Sequence, residues 1–212
     1  MLLVPRWVLL SSGCAPVLLI TGWAISAALE GSGYDPVTQT ISVLAAYGAS
    51  GSWVMTGAFL AVGVCHLLTA WGLRAAAAAG RVALAGGGVA ALVVAMVPAP
   101  SSGGSLGHGS VAAVGFTLLA LWPVLAATAG SATPWALRPL PSFAATTVMV
   151  AGAVWFLVEM HRHGMAGVAE RVVTATQSLW PFVVVLSCLR HRAGRRAEPS
   201  IGPDHTRNRA RD

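Results

Sequence analysis

The chain has 212 residues, 56% of them hydrophobic and only 9% charged, with a mean hydropathy of +0.72 and a formal net charge of +6. Soluble domains carry about 25% charged residues, so a water-soluble globule of this size is excluded: one core could not hide so much apolar surface. All 13 basic residues are arginine and they concentrate after Leu189, which places the excess charge on a tail and argues against a folded nucleic-acid-binding face.

Hydrocarbon about 30 Å thick is crossed by roughly 20 helical residues. Six windows meet that length, some narrowly. The first, Trp7–Leu29, follows Arg6 and ends near the signal-like Ser26-Ala27-Ala28. It exceeds the roughly 7–15-residue apolar region of a secretory signal, so a retained first helix is expected. Gly31–Ser52 then reads as a loop, followed by Trp53–Leu73 and Val82–Val97, the latter with a possible backward extension through Ala75–Ala79. After the Gly/Ser-rich stretch Pro98–Gly107 come His108–Thr128, the punctuating segment Gly130–Pro141, Phe143–Met160, the turn His161–Gly167, and finally Val168–Leu189. The windows are continuously apolar and do not alternate with period two, which favours helices over a β-barrel. Trp7, Trp23, Trp53, Trp71 and Trp135 fall near window ends, as an interfacial belt requires. Gly57/Ala61 and Gly86/Ala90 have the spacing of close helix contacts.

The expected architecture is therefore all-α: a six-helix transmembrane domain over residues 1–192, with a disordered, Arg-rich tail over 193–212. With the N-terminus inside, eleven arginines (Arg6, Arg74, Arg81, Arg138, Arg190, Arg192, Arg195, Arg196, Arg207, Arg209 and Arg211) lie on the inner side, against Arg162 and Arg171 outside. That asymmetry predicts cytoplasmic N- and C-termini and a multi-pass protein of the cell membrane, with membrane lipids as its immediate partners.

Polar chemistry is unevenly shared between the two faces. Glu30, Asp35, Gln39, Ser42, His108, Glu159, His161, His163, Glu170 and Arg171 all fall on the outer side, while the inner loops offer little besides arginine. Glu170 and Arg171 are adjacent, diverge by about 100° on a helix, and so need separate partners; Asp35 for Arg171 and His108 for Glu170 are the expected ones. Glu170, Thr174 and Gln177 form one polar stripe, which suits the bundle interior and reads either as an interhelical clamp or as a site. His161 and His163 are spaced badly for a helical metal pair. Cys14, Cys65 and Cys188 sit singly in apolar runs, and His66 reads as a core residue of the second window. Neither a metal nor a cofactor is expected, and nucleophile-elbow, zincin and phosphate-loop motifs are absent from the sequence.

Three segments carry a family resemblance. Tyr34-Asp35-Pro36-Val37-Thr38-Gln39-Thr40-Ile41-Ser42 with Trp53-Val54-Met55-Thr56, the loop bearing His108-Gly109, and Gly167-Val168-Ala169-Glu170-Arg171 with Trp180 together resemble the bacterial family catalogued as domain of unknown function 998. The resemblance implies a six-helix membrane protein, often actinobacterial and distantly similar to DRAM-type and Sfk-type membrane proteins, with no established activity, substrate or cofactor. Its motif positions correspond here to Asp35, Gln39, Ser42, His108, Glu170 and Arg171, the same outer-face group found by the charge census. The leading expectation is a membrane protein that binds a lipid headgroup or small ligand at this cluster, with Arg171 as an anion contact. A second is a hydrolase or lipid-remodelling enzyme with His108 as general base, oriented by Asp35 or Glu170. A third is a transporter, disfavoured because the third and fourth windows offer little polarity at mid-depth.

Overall fold

The computed structural model describes residues 4–100, 105–130 and 132–197. Six long helices dominate: α1 (Trp7–Glu30), α3 (Ser52–Gly72), α4 (Ala78–Met96), α5 (Leu106–Ala126), α6 (Pro139–Arg162) and α7 (Ala166–Ala197), with one short helix, α2 (Ile41–Leu44), between the first two. Each long helix is apolar and long enough to cross a bilayer. Helix α7 continues past Arg192 to Ala197; the tail expectation for 198–212 lies outside the described residues.

The helices form a closed ring in chain order. Helix α1 packs on α3, α3 on α4, α4 on α5, α5 on α6, α6 on α7, and α7 returns to α1. Consecutive spans cross in opposite directions, so one end of the bundle gathers the start of α1 and the ends of α3, α5 and α7. The other end gathers the 31–51 segment, the end of α4, the starts of α5 and α7, and the end of α6.

Small residues set the close approaches, at the expected Gly86 and Ala90, which face Leu118 and Gly115 of α5, but not at the expected Gly57. Gly57 has open space where a side chain would be, whereas Gly63 and Gly88 bring α3 and α4 into backbone contact, a Cβ on either lying 2.8 Å from the other's carbonyl. Gly80 abuts the backbone of Ala126, and Gly115 would meet Ala90. Lipid tails are as apolar as leucine, so van der Waals contact of this kind, rather than water exclusion, holds the ring together.

Helix irregularities are repaired by neighbours. Pro123 interrupts α5, and the Val124 amide donates to the Thr146 hydroxyl on α6 at 3.2 Å. Arg81, inside α4, reaches back to cap α3: its Nε donates to the Ala70 carbonyl at 2.8 Å and Nη2 to the Trp71 carbonyl at 3.2 Å. The charge therefore sits at a helix end, which is why α4 begins at Ala78, four residues before the expected window. Trp53, Trp71 and Trp135 are exposed near the ends of the bundle, while Trp122 is fully buried.

Candidate functional site

The segment between α1 and α3 must satisfy its own backbone groups, because it lies across the end of an otherwise apolar bundle. Asp35 begins the solution. Its carboxylate accepts from the Val37 amide at 3.0 Å and the Thr38 hydroxyl at 2.7 Å, while Gln39 Oε1 accepts from the Asp35 amide at 2.9 Å. This Asx-type turn is closed locally. The Thr38 hydroxyl and then the Val37 amide hold the Asp35 carboxyl below its usual range. Tyr34 is buried beneath the turn, its hydroxyl 3.1 Å from both the Gln39 and Thr40 carbonyls, and burial pushes its phenol up against the opposing Arg171 charge.

Arg171 fastens this turn to α7. Its Nη1 donates to the carbonyls of Pro36, Gln39 and Gly167 at 2.9, 3.3 and 2.8 Å, and Nη2 donates to the Tyr34 hydroxyl. Its guanidinium also lies over Trp23 and Tyr34, 5.9 and 5.7 Å from the ring centroids. Gly167 is required beside it, since a Cβ there would collide with the Gln39 and Pro36 carbonyls. The expected Asp35 partner is thus replaced: Asp35 serves its own turn, and Arg171 takes main-chain oxygens, which a planar five-donor fork can collect at once.

Glu170 faces inward and is 3% exposed. Its Oε2 accepts from the Ile41 amide at the start of α2, and its Oε1 lies 3.4 Å from Ser42 Oγ. Ser42 Oγ is in turn 3.1 Å from Nε2 of His108, whose Nδ1 is 2.8 Å from the Val97 carbonyl. His108 is placed by the start of α5, where Ser105 Oγ caps its amide at 3.2 Å. Glu170 therefore reaches His108 through Ser42 rather than directly. The resulting row runs Val97 carbonyl, His108, Ser42, Glu170, Ile41 amide.

Behind Ser42 and Glu170, inside the ring, lies a cavity of about 90 Å³. Ser42, Glu170, Thr174 and Gln177 make one polar wall, and Phe59, Val94, Val111, Phe116 and Leu119 make the apolar remainder. Small residues of α4 and α5 (Gly87, Ala90, Ala112 and Gly115) leave the space. Gln177 is anchored by donating to the Phe116 carbonyl at 3.0 Å, and the Thr174 hydroxyl donates to the Glu170 carbonyl at 2.7 Å.

The six residues singled out in the sequence thus gather at one end of the bundle but divide by role. Asp35, Gln39 and Arg171 build the loop clamp; Ser42, His108 and Glu170 form the buried row beside the cavity. The other acids at this end of the bundle also serve main-chain amides: Glu30 accepts from Gly51 at 2.9 Å and Glu159 from Met165 at 2.7 Å. Of these acids, Glu170 alone lines the cavity. Tyr34 and the Val97 carbonyl were missed as site components: Tyr34 reads as an interfacial aromatic, and a main-chain oxygen leaves no sequence signal. Among the described residues, no group of three or more His, Cys, Asp or Glu side chains could hold a metal ion.

A ring of six apolar, membrane-length helices defines an integral membrane protein of the polytopic α-helical class. The chain belongs to the family described as protein of unknown function (DUF998), whose model matches residues 14–187 and so covers the site and five helices through most of their length, together with the larger part of α1. No curated protein and no solved structure matches it.

Removing the Arg171 fork should loosen the 34–40 turn. Arg171→Ala is expected to cost about 1.5–3 kcal/mol, the range for hydrogen bonding to a charged group, and Arg171→Lys should not restore it, because an ammonium cannot span the same carbonyls. Thermal unfolding in detergent, with protease cleavage at the turn as a second readout, checks this; full rescue by lysine would contradict the fork.

Proposed function

We propose that this protein binds a small amphiphilic molecule within the membrane, with the molecule's polar end against Ser42, Glu170, Thr174 and Gln177 and its apolar part along Phe59, Val111, Phe116 and Leu119. The observation that carries this reading is the one-sided polarity of the cavity: a row of polar groups from α2 and α7 faces an apolar wall. Ligand sites are commonly apolar clefts with a few convergent polar groups, and an ionisable residue inside a membrane span points to function by default. The arginine distribution supports a cytoplasmic location of both termini in the cell membrane, with the cavity in the outer half. Arg171, whose donors are committed to carbonyls, is then a positioning residue for the site and no longer its anion contact.

The test is a photoreactive alkyl probe in membranes, with labelled peptides mapped to α5 and α7. Ala112→Phe, which plugs the cavity from α5, should reduce labelling by at least about tenfold, corresponding to roughly 1.4 kcal/mol of lost contact. Unchanged labelling in a plugged, monodisperse variant would overturn the reading.

A second reading, an acyl hydrolase, is favoured by one distance: Ser42 Oγ at 3.1 Å from His108 Nε2 is nucleophile-to-base geometry. The orienting group in this version is the Val97 carbonyl, in place of the carboxylate expected for His108. A fluorophosphonate probe should then label the protein, and Ser42→Ala and His108→Ala should each abolish labelling. Absence of labelling on the intact protein would remove this alternative.

A further inference from the structure

Proton counting along the buried row constrains what the cavity can bind, on the premise that it binds an amphiphile. The Val97 carbonyl can only accept, so the 2.8 Å contact fixes a proton on His108 Nδ1. The Ser42 hydroxyl has a single proton and contacts both His108 Nε2 and Glu170 Oε1. If His108 is neutral, Nε2 takes the Ser42 proton, and the Ser42–Glu170 contact requires a protonated carboxyl donating to Ser42 Oγ. If His108 is a cation, Nε2 donates to Ser42, which donates onward to a carboxylate. Both arrangements hold the same number of protons and differ only by a shift through Ser42. With neutral imidazole and ionised carboxylate together, two acceptors face one hydroxyl proton and one contact is lost. The complete row therefore stores one mobile proton between Glu170 and His108.

The surroundings do not supply a competing cation at the cavity wall. Among the described residues, the titratable and charged groups beside this row are Arg171 on α7 and Tyr34 and Asp35 from the turn. Arg171 is turned onto carbonyls and does not line the cavity. Glu30, Asp35 and Glu159 are held by amides of their own loops. The cavity is thus walled by one carboxyl group, neutral polar groups and the rings of Phe59 and Phe116, which offers a positive head a counter-charge once the row gives up its proton and offers a negative head none.

We propose that the cavity takes a cationic amphiphile, whose charged nitrogen lies against Glu170 and whose binding releases the proton stored along Glu170, Ser42 and His108. The step balances as a permanently charged ammonium plus the protonated row giving the ammonium–carboxylate pair, a neutral His108, and one proton delivered to water.

The experiment uses the full chain in zwitterionic nanodiscs, titrated calorimetrically with decyltrimethylammonium, decyl sulfate or decanol in two buffers of different ionisation enthalpy, which counts protons. Decyltrimethylammonium should bind with release of about one proton, and its Kd should fall about tenfold per pH unit while the row is protonated, since proton and ligand compete. Glu170→Gln should abolish the proton release and weaken the cation at least about tenfold. The wild-type proton count and pH slope decide the matter should that variant not fold. Cation binding without proton release, or decyl sulfate or decanol binding as tightly and blocked by Ala112→Phe, would overturn this inference while leaving amphiphile binding intact. Failure of all three probes to bind would overturn both.

Discussion

The end of the bundle that carries the 31–51 segment depends on the contact between the Glu170 carboxyl and the Ile41 amide. An irregular segment of some twenty residues lies where apolar helices end, and each unpaired backbone group there would carry a desolvation cost of about 1–3 kcal/mol if left buried. Glu170 supplies an acceptor that reaches the segment from inside the ring. By fixing α2, it also places Ser42 between α7 and α5, and Ser42 is what connects the two helices to His108. Arg171, one residue later, performs the complementary task from outside, collecting carbonyls where Glu170 collects an amide. The adjacent acid and base are thus a two-sided grip on one loop, and their divergence around the helix is the reason they can hold both of its sides.

That grip leaves a consequence for function. A carboxyl group that only closed a loop could sit at the surface, as Glu30 and Glu159 do. Glu170 is instead buried at the head of a stripe with Thr174 and Gln177, facing space created by glycines and alanines of α4 and α5. Burial of an ionisable group in a membrane span is costly. Here part of that cost is offset by the Ile41 amide and the Ser42 hydroxyl, and the group keeps a place on the cavity wall.

Much of the architecture was legible from hydropathy alone, because a bilayer demands length and apolarity of each span and the six windows met that demand. Boundaries were less legible where a side chain reaches out of its own helix: Arg81 stands just before the Val82–Val97 window, and because it caps α3 the helix extends back through it to Ala78. The small helix α2 gave no signal, because its four residues complete barely one helical turn. The charge census picked out six residues that the fold gathers at one end of the bundle. It could not divide them into clamp and row, because pairings such as Ser42 with His108 span 66 residues and are fixed by packing. The small-residue spacing at Gly57 misled for a related reason: an Ala/Gly-rich chain offers many such spacings, and only helix rotation selects among them, as it does at Gly63 and Gly88.

Amide hydrogen exchange at Ile41, measured in lipid nanodiscs, tests the central contact most directly. The account predicts a strongly protected Ile41 amide in the wild type and loss of that protection in Glu170→Ala, with the amides of α4 unaffected. An Ile41 amide that exchanges in the wild type as fast as an unstructured peptide would contradict it.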